Sequence, residues 1–215
     1  MEAVPGLWMG LGPPSPATMA VPVSGFLQVD YTSPERVWTQ HPDAPYSDLG
    51  TVYAGSAHHV PSFRPDGLVV ILGGNELEPE TRQSQNRNMD MLWFMDPTAP
   101  DQWHSQKTTN APPARRRWPC VVGAQGRNNT YEIFIFGGNT DDGQTFGDIW
   151  ILSLPGFFWT VAQHDSNIKR TLMSCVVAGQ RQMIVVGGLN NSDNNVVGKC
   201  KGLAPRLVQR RGAVD

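Results

Sequence analysis

A run of four or five apolar residues ending in Gly-Gly occurs three times: LVVILGGN from Leu68, EIFIFGGN from Glu132 and QMIVVGGL from Gln182. The pairs Gly73-Gly74, Gly137-Gly138 and Gly187-Gly188 lie 64 and then 50 residues apart. Trp38, Trp103 and Trp159 keep the same phase, with the second glycine of the next pair 36, 35 and 29 residues on. Two marks recurring together indicate a repeat architecture, in which each unit buries its faces only against its neighbours. Nothing else in the chain constrains the fold so tightly.

The clearest period resolves into four strands. Trp118 to Gln125 is an apolar run that ends at the turn residues Gly126-Arg127-Asn128-Asn129. Glu132 to Phe136 is β-branched and aromatic and stops at Gly137-Gly138. After the polar stretch NTDDGQTFG come DIWILSL from Asp148, a Pro155-Gly156 turn, and FFWTVAQ from Phe157. Short strands joined by such turns predict an antiparallel meander. The period before it matches: a first strand near His58-His59-Val60, a second over Leu68–Leu72, a third over Asp90–Asp96, and a fourth marked by Trp103. Flanking half units are expected over Gly25–Thr32 with Arg36–Gln40 (third and fourth strands), and over Arg170–Gly179 with Gln182–Val186 (first and second). The predicted organisation is an irregular segment at 1–24, repeats over 25–190, and an irregular basic tail at 191–215.

Composition agrees with turns and strands. Gly (22) and Pro (18) are abundant while charged residues make up only 17%. A net charge of -2 gives no pull toward nucleic acid. No apolar run reaches the roughly 20 residues of a membrane span. The N-terminus, rich in Pro and Gly, lacks the basic start and apolar core of a signal peptide. Cys120, Cys175 and Cys200 show no CxxC spacing for zinc. They are compatible with one disulfide and one thiol, or with three unpaired cysteines.

The marks resemble the kelch repeat: an apolar strand ending in Gly-Gly, an acidic-aromatic strand (Asp148-Ile149-Trp150, Asp90-Met91-Leu92-Trp93), then a tryptophan about ten residues later. The wording RRRWPCVV, FIFGGN, DIWILSLPGFFWTV and RQMIVVGG is similar to kelch domains of ascomycete fungal proteins, which are often secreted or tethered by a later transmembrane segment. The resemblance covers roughly 25–190. It implies an all-β fold, a kelch-type β-propeller present in part, with two full four-stranded blades and two half-blades. A closed propeller takes typically four to eight blades, so the expectation is an incomplete arc of a larger propeller or an imperfect gene model. Gly-Gly then reads as a packing device at crowded strand ends. No GxGxxG or GxxxxGK[ST] accompanies it, so a phosphate loop is not expected. The repeated Trp supplies an apolar face to the neighbouring blade.

Candidate chemistry is sparse. His58-His59 would point to opposite faces of a strand and cannot share a metal. His104 and His164 are expected at exposed strand ends, and His41 is isolated. Asp141-Asp142-Gly143 with Asp148 lacks the ligand alternation and closing Glu of an EF-hand, so turn chemistry is the reading there. An Arg before the first strand recurs in kelch repeats. Of Arg115, Arg116 and Arg117, one is therefore expected to bridge to an acid or to carbonyls near the axis, the others being solvated; Arg170 holds the same place one unit on. The basic tail (Lys199, Lys201, Arg206, Arg210, Arg211) reads either as a surface tail or as a frame error. Cys120 and Cys175 fall on equivalent strands a blade's width apart, too far for an S–S bond, and are expected as small buried hydrophobes. Met89, Met91 and Met95 are expected in the core. The sequons at Asn128 and Asn190 fall in predicted turns.

The leading expectation for function is a non-catalytic module that contacts a protein or glycan through the loops 75–89 and 139–147. Both join a second to a third strand and lie on one face. No catalytic, metal or cofactor residue is assigned. A galactose-oxidase-like site needs tyrosines, one cross-linked to a cysteine, and two histidines. Tyr31, Tyr46, Tyr53 and Tyr131 are not placed near such a pattern, and the spaced Glu, Asp and His of iron-using kelch proteins are not found. A truncated, non-functional product is the other alternative. For a full-length parent the resemblance suggests an extracellular or cell-surface location.

Overall fold

The structure is a computed structural model that describes residues 23–32, 34–42, 44–179 and 182–190. Most of the predicted N-terminal segment, the basic tail with Cys200, and Asn191 and Ser192 of the second sequon lie outside the described residues. Among the described residues all regular structure is strand: β1 (Phe26–Val29), β2 (Trp38–His41), β3 (Ser56–Val60), β4 (Leu68–Leu72), β5 (Asn75–Leu77), β6 (Ser84–Asn86), β7 (Met91–Met95), β8 (Trp103–Lys107), β9 (Cys120–Gln125), β10 (Tyr131–Phe136), β11 (Ile149–Leu154), β12 (Phe158–Gln163), β13 (Thr171–Ala178) and β14 (Gln182–Leu189).

Two antiparallel four-stranded meanders, β3-β4-β7-β8 and β9-β10-β11-β12, are flanked by the two-stranded sheets β1-β2 and β13-β14. Register repeats between them. Ile71 opposes Trp93 in one unit as Ile135 opposes Trp150 in the next. Met95 opposes Trp103 as Leu152 opposes Trp159.

The core lies between sheets. Val60, Val70, Leu72, Met89 and Leu92 of the first unit pack with Tyr131, Ile133, Ile135, Leu152 and Trp159 of the second. A smaller cluster of Cys120, Phe136 and Ile149 packs on Met173, Cys175, Met183 and Val185 of β13-β14. The second unit is thus covered on both faces, which is why β10 (YEIFIF) carries a nearly continuous apolar run rather than an alternating one. Trp159 is 1% exposed, and its Nε1 donates to Met89 O at 3.1 Å, so it closes against the preceding unit. Trp103 does the same edge-on against Phe26 and Tyr46.

The Gly-Gly strand ends meet the following unit. Gly74 N donates to Arg116 O at 2.9 Å and Gly138 N to Arg170 O at 2.8 Å. All six glycines have φ between +60° and +93°, the left-handed region that side chains resist. A Cβ on Gly73 would lie 2.8 Å from Arg116 O, and one on Gly137 would collide with Arg170 O. At Gly73-Gly74 and Gly137-Gly138 the strand ends are tied backbone to backbone, with no room for a side chain.

The inner strands converge more than the blade-width argument supposes. β9 lies beside both β3 and β13. Cys120 and Cys175 are joined as a disulfide, with Cα atoms 5.8 Å apart. The expectation that they are unpaired hydrophobes is corrected: blade separation is wide at outer strands and narrow at first strands, where both cysteines sit.

Candidate interaction face

The two loops between second and third strands begin alike, with an Asn directly after Gly-Gly. Asn75 and Asn139 are both buried, at 0% and 1% exposure. Each pairs backbone to backbone with the start of its own unit: Asn75 with Tyr53, and Asn139 with Arg117. The 75–89 segment is not wholly irregular. Residues 75–77 and 84–86 form the β5-β6 hairpin, closed by Arg82 N donating to Glu78 O and by the Thr81 hydroxyl donating to Glu78 Oε2 at 2.6 Å. The polar composition hid a hairpin that follows on directly from Gly74. The 139–147 loop turns through Gly143, and Thr140 bonds the Asp142 carboxylate. That bond, first among its causes, holds Asp142 below the usual carboxylate pKa.

Asp141 joins the loops. Its Oδ1 accepts from Asn75 Nδ2 at 2.7 Å and pairs with Arg117 Nη1 at 3.1 Å, while its N–H donates to Asn86 Oδ1 at 2.8 Å. Asn86 Nδ2 donates in turn to Asn75 Oδ1 at 2.7 Å. Three side chains and one backbone group therefore lock a loop of each unit to the other. Partly buried charge-assisted bonds of this kind hold geometry better than surface ion pairs do.

Beside the hairpin runs a groove of about 260 Å³, bounded by Pro45–Asp48, by Glu76 and Gln85 of β5 and β6, and by Arg87, Asp90, Met91 and Trp93. Arg87 lies at its floor, 6% exposed, donating to Tyr46 O at 2.7 Å and facing Glu76 at 3.5 Å. Burial lowers the pKa of Arg87, and Glu76 opposes that shift. The groove walls therefore carry carboxylates, an indole and a thioether around the engaged Arg87 guanidinium.

The other predicted positions fall elsewhere. His58 and His59 diverge as expected, to Tyr131 Oη at 3.2 Å and Asp66 O at 3.0 Å. His104 and His164 are exposed, whereas His41 is buried against Phe26. Asp148 is turned away from Asp141 and Asp142 toward Arg116, and among the described residues no three His, Cys, Asp or Glu cluster for a metal. Arg116 is the structural member of the arginine run, bonding Asp148 and Gly137 O. Arg115 is exposed, but Arg117 is not simply solvated: it pairs with Asp141 and covers the Trp118 ring at 4.5 Å. Met89 and Met95 are core, while Met91 is 40% exposed at the groove. Asn128 is exposed in the β9–β10 turn. The Asp141 lock was not anticipated; the one hint was the Asn repeated after two of the three glycine pairs.

No family model matches the chain. A kelch repeat-containing protein of Arthroderma benhamiae is 27% identical over 171 residues, which span 74% of this chain and 24% of that protein. The solved structure of YjhT superposes with a TM-score of 0.59 at 12% identity, covering 77% of this chain and 52% of that one. The described chain is an arc of kelch-type propeller blades. It spans about a quarter of the fungal relative and half of YjhT. In this arc the interlocked loops belong to two successive complete blades, β3-β4-β7-β8 and β9-β10-β11-β12, the first interrupted between its second and third strands by the β5-β6 hairpin.

Proposed function

We propose that this kelch arc is a non-catalytic binding module that presents the loops 75–89 and 139–147, and the groove beside them, to a protein or glycan partner. The observation that carries the reading is the Asp141 lock, which organises two loops of different blades into one preformed polar surface. Loops fixed in advance lose less conformational entropy on binding. Repeat scaffolds often carry their ligands on such loops. The exposed sequon at Asn128 sits in a different connection, between first and second strands, so a glycan there would leave this face open.

The test is direct binding of the purified chain to a glycan array and to fractionated extracellular proteins. Asp141→Ala should weaken any specific ligand at least tenfold by unlocking both loops, and Trp93→Ala should weaken it through the groove. A ligand indifferent to both substitutions, or one copper or iron per purified chain, would overturn the reading.

A further inference from the structure

The turn between β9 and β10 carries the sequon Asn128-Asn129-Thr130 on a tightly bonded backbone. Gly126 N donates to Thr130 O at 2.8 Å and Thr130 N to Arg127 O at 3.1 Å, while the Thr130 hydroxyl donates to the same Arg127 carbonyl at 2.9 Å. Asn128 and Asn129 form the tip, with φ of +55° and +61°, in the left-handed region that asparagine tolerates. Both are exposed. A substituent on Asn128 therefore meets solvent, not a neighbouring blade.

An independent observation bears on where the chain matures. Cys120 and Cys175 are joined across two blades, 55 residues apart in sequence. Cys120 is 2% exposed and lies with Phe136 and Ile149 against Met173 and Met183. A sulfur so enclosed is shielded from a dissolved thiolate, unlike the accessible, electropositive sites of catalytic and redox-sensing cysteines. The bond is a structural one. Structural disulfides persist in the oxidising compartments through which secreted proteins pass and are rare in the cytosol. Sequons are modified along that same route.

We infer that Asn128 carries an N-linked glycan, added in the oxidising compartment that also forms the Cys120–Cys175 bond. In the transfer, Asn128 Nδ2 bonds to the anomeric carbon of a lipid-diphosphate-linked oligosaccharide. The bond from that carbon to the diphosphate oxygen breaks, the lipid diphosphate leaves with the electron pair, and one amide proton passes to solvent. In the oxidation, the two thiols give two electrons and two protons to a protein disulfide, which becomes a dithiol. β10 runs from Tyr131 to Phe136 between this turn and the loop 139–147, so the glycan projects from the opposite end of the blade. It adds a bulky, solubilising group there.

The experiment uses the protein isolated from the cells that make it, with thiols alkylated before lysis. Peptide-N-glycosidase in heavy-oxygen water should lower its apparent mass and leave the heavy isotope at position 128 in most of the protein. Asn128→Gln, made in the same cells, should lose that label entirely. The variant should melt at the temperature of the enzymatically deglycosylated protein, because the position is exposed. Asn129→Gln and Thr130→Ser each keep the acceptor amide and a hydroxyl two residues on, so both should keep the glycan. Alkylation should leave Cys120 and Cys175 unlabelled. An unmodified Asn128, whether the chain is bare or glycosylated only at Asn190, overturns the inference. So do free Cys120 and Cys175 thiols in the glycosylated protein.

Discussion

Arg116, with no exposed surface, holds Asp148 through two parallel hydrogen bonds of 2.6 and 2.9 Å. Its guanidinium also stacks on Phe146 at 4.2 Å and donates to Gly137 O and Ala114 O. The pair links the start of β9 to the end of β10 and the start of β11. A buried pair broken on one side costs about 3–5 kcal/mol, because the remaining charge is uncompensated. Asp148→Ala should lower urea-unfolding stability by about that amount. Arg116→Met combined with Asp148→Leu should be less damaging than the sum of the single changes.

Gly137 and Gly187 hold the same place in successive blades but differ in surroundings. Both have positive φ, +63° and +72°. A Cβ on Gly137 would collide with the Arg170 carbonyl, whereas one on Gly187 meets nothing within 4 Å among the described residues. Gly187→Ala should cost about 1–2 kcal/mol, the backbone strain alone. Gly137→Ala should cost at least about 1 kcal/mol more. Equal losses in denaturant titration would show that blade contact is not what requires the first glycine of the pair.

His58 lies half-buried between blades, bonded to Tyr131, over Gly123. Burial, and then the neighbouring His59, lower its pKa from 6.5. The folded form therefore disfavours the proton that the unfolded chain takes up near pH 6.5. The resulting stability is complete above that pH and is lost as pH falls through the lower folded value. The melting temperature should drop on acidification below about pH 6.5, and His58→Gln should flatten that dependence. An unchanged profile in the variant would assign the acid sensitivity to other groups.

The Cys120–Cys175 bond closes a segment with a sequence separation of 55 residues and ties two blades at their inner strands. Chain-entropy reasoning gives about 4 kcal/mol for a loop of that length, with about 2–4 typical. Reduction should lower the denaturation midpoint accordingly without changing the native mass. Protein denaturated without reductant should take up one thiol label, leaving only Cys200 free of the three cysteines. Three labels would mean the bond does not form in solution.

Strand identity was legible because it is local. The β-branched runs stop at Gly-Gly, and β4, predicted over Leu68–Leu72, occupies those residues. β14 runs three residues beyond its predicted end, through Gly187-Gly188 to Leu189, because it continues to pair with β13 as far as Thr171. The meander order, the blade count and the phase of the tryptophans follow from periodicity, since each blade repeats one solution to the same packing problem.

What periodicity cannot carry is the distance between blades. That distance varies from axis to rim, and it alone decided that Cys120 reaches Cys175 and that Asn75 and Asn86 reach the next blade's loop. Arg115, Arg116 and Arg117 are chemically identical in the sequence. Only the fold turns Arg116 into the core, because just one of three successive residues there faces the carbonyl of Gly137 and the carboxylate of Asp148. The sequence by itself determined a blade and its repetition; the tertiary structure decided which side chains meet between blades, because those contacts join residues about 50 to 70 apart whose spacing encodes no angle.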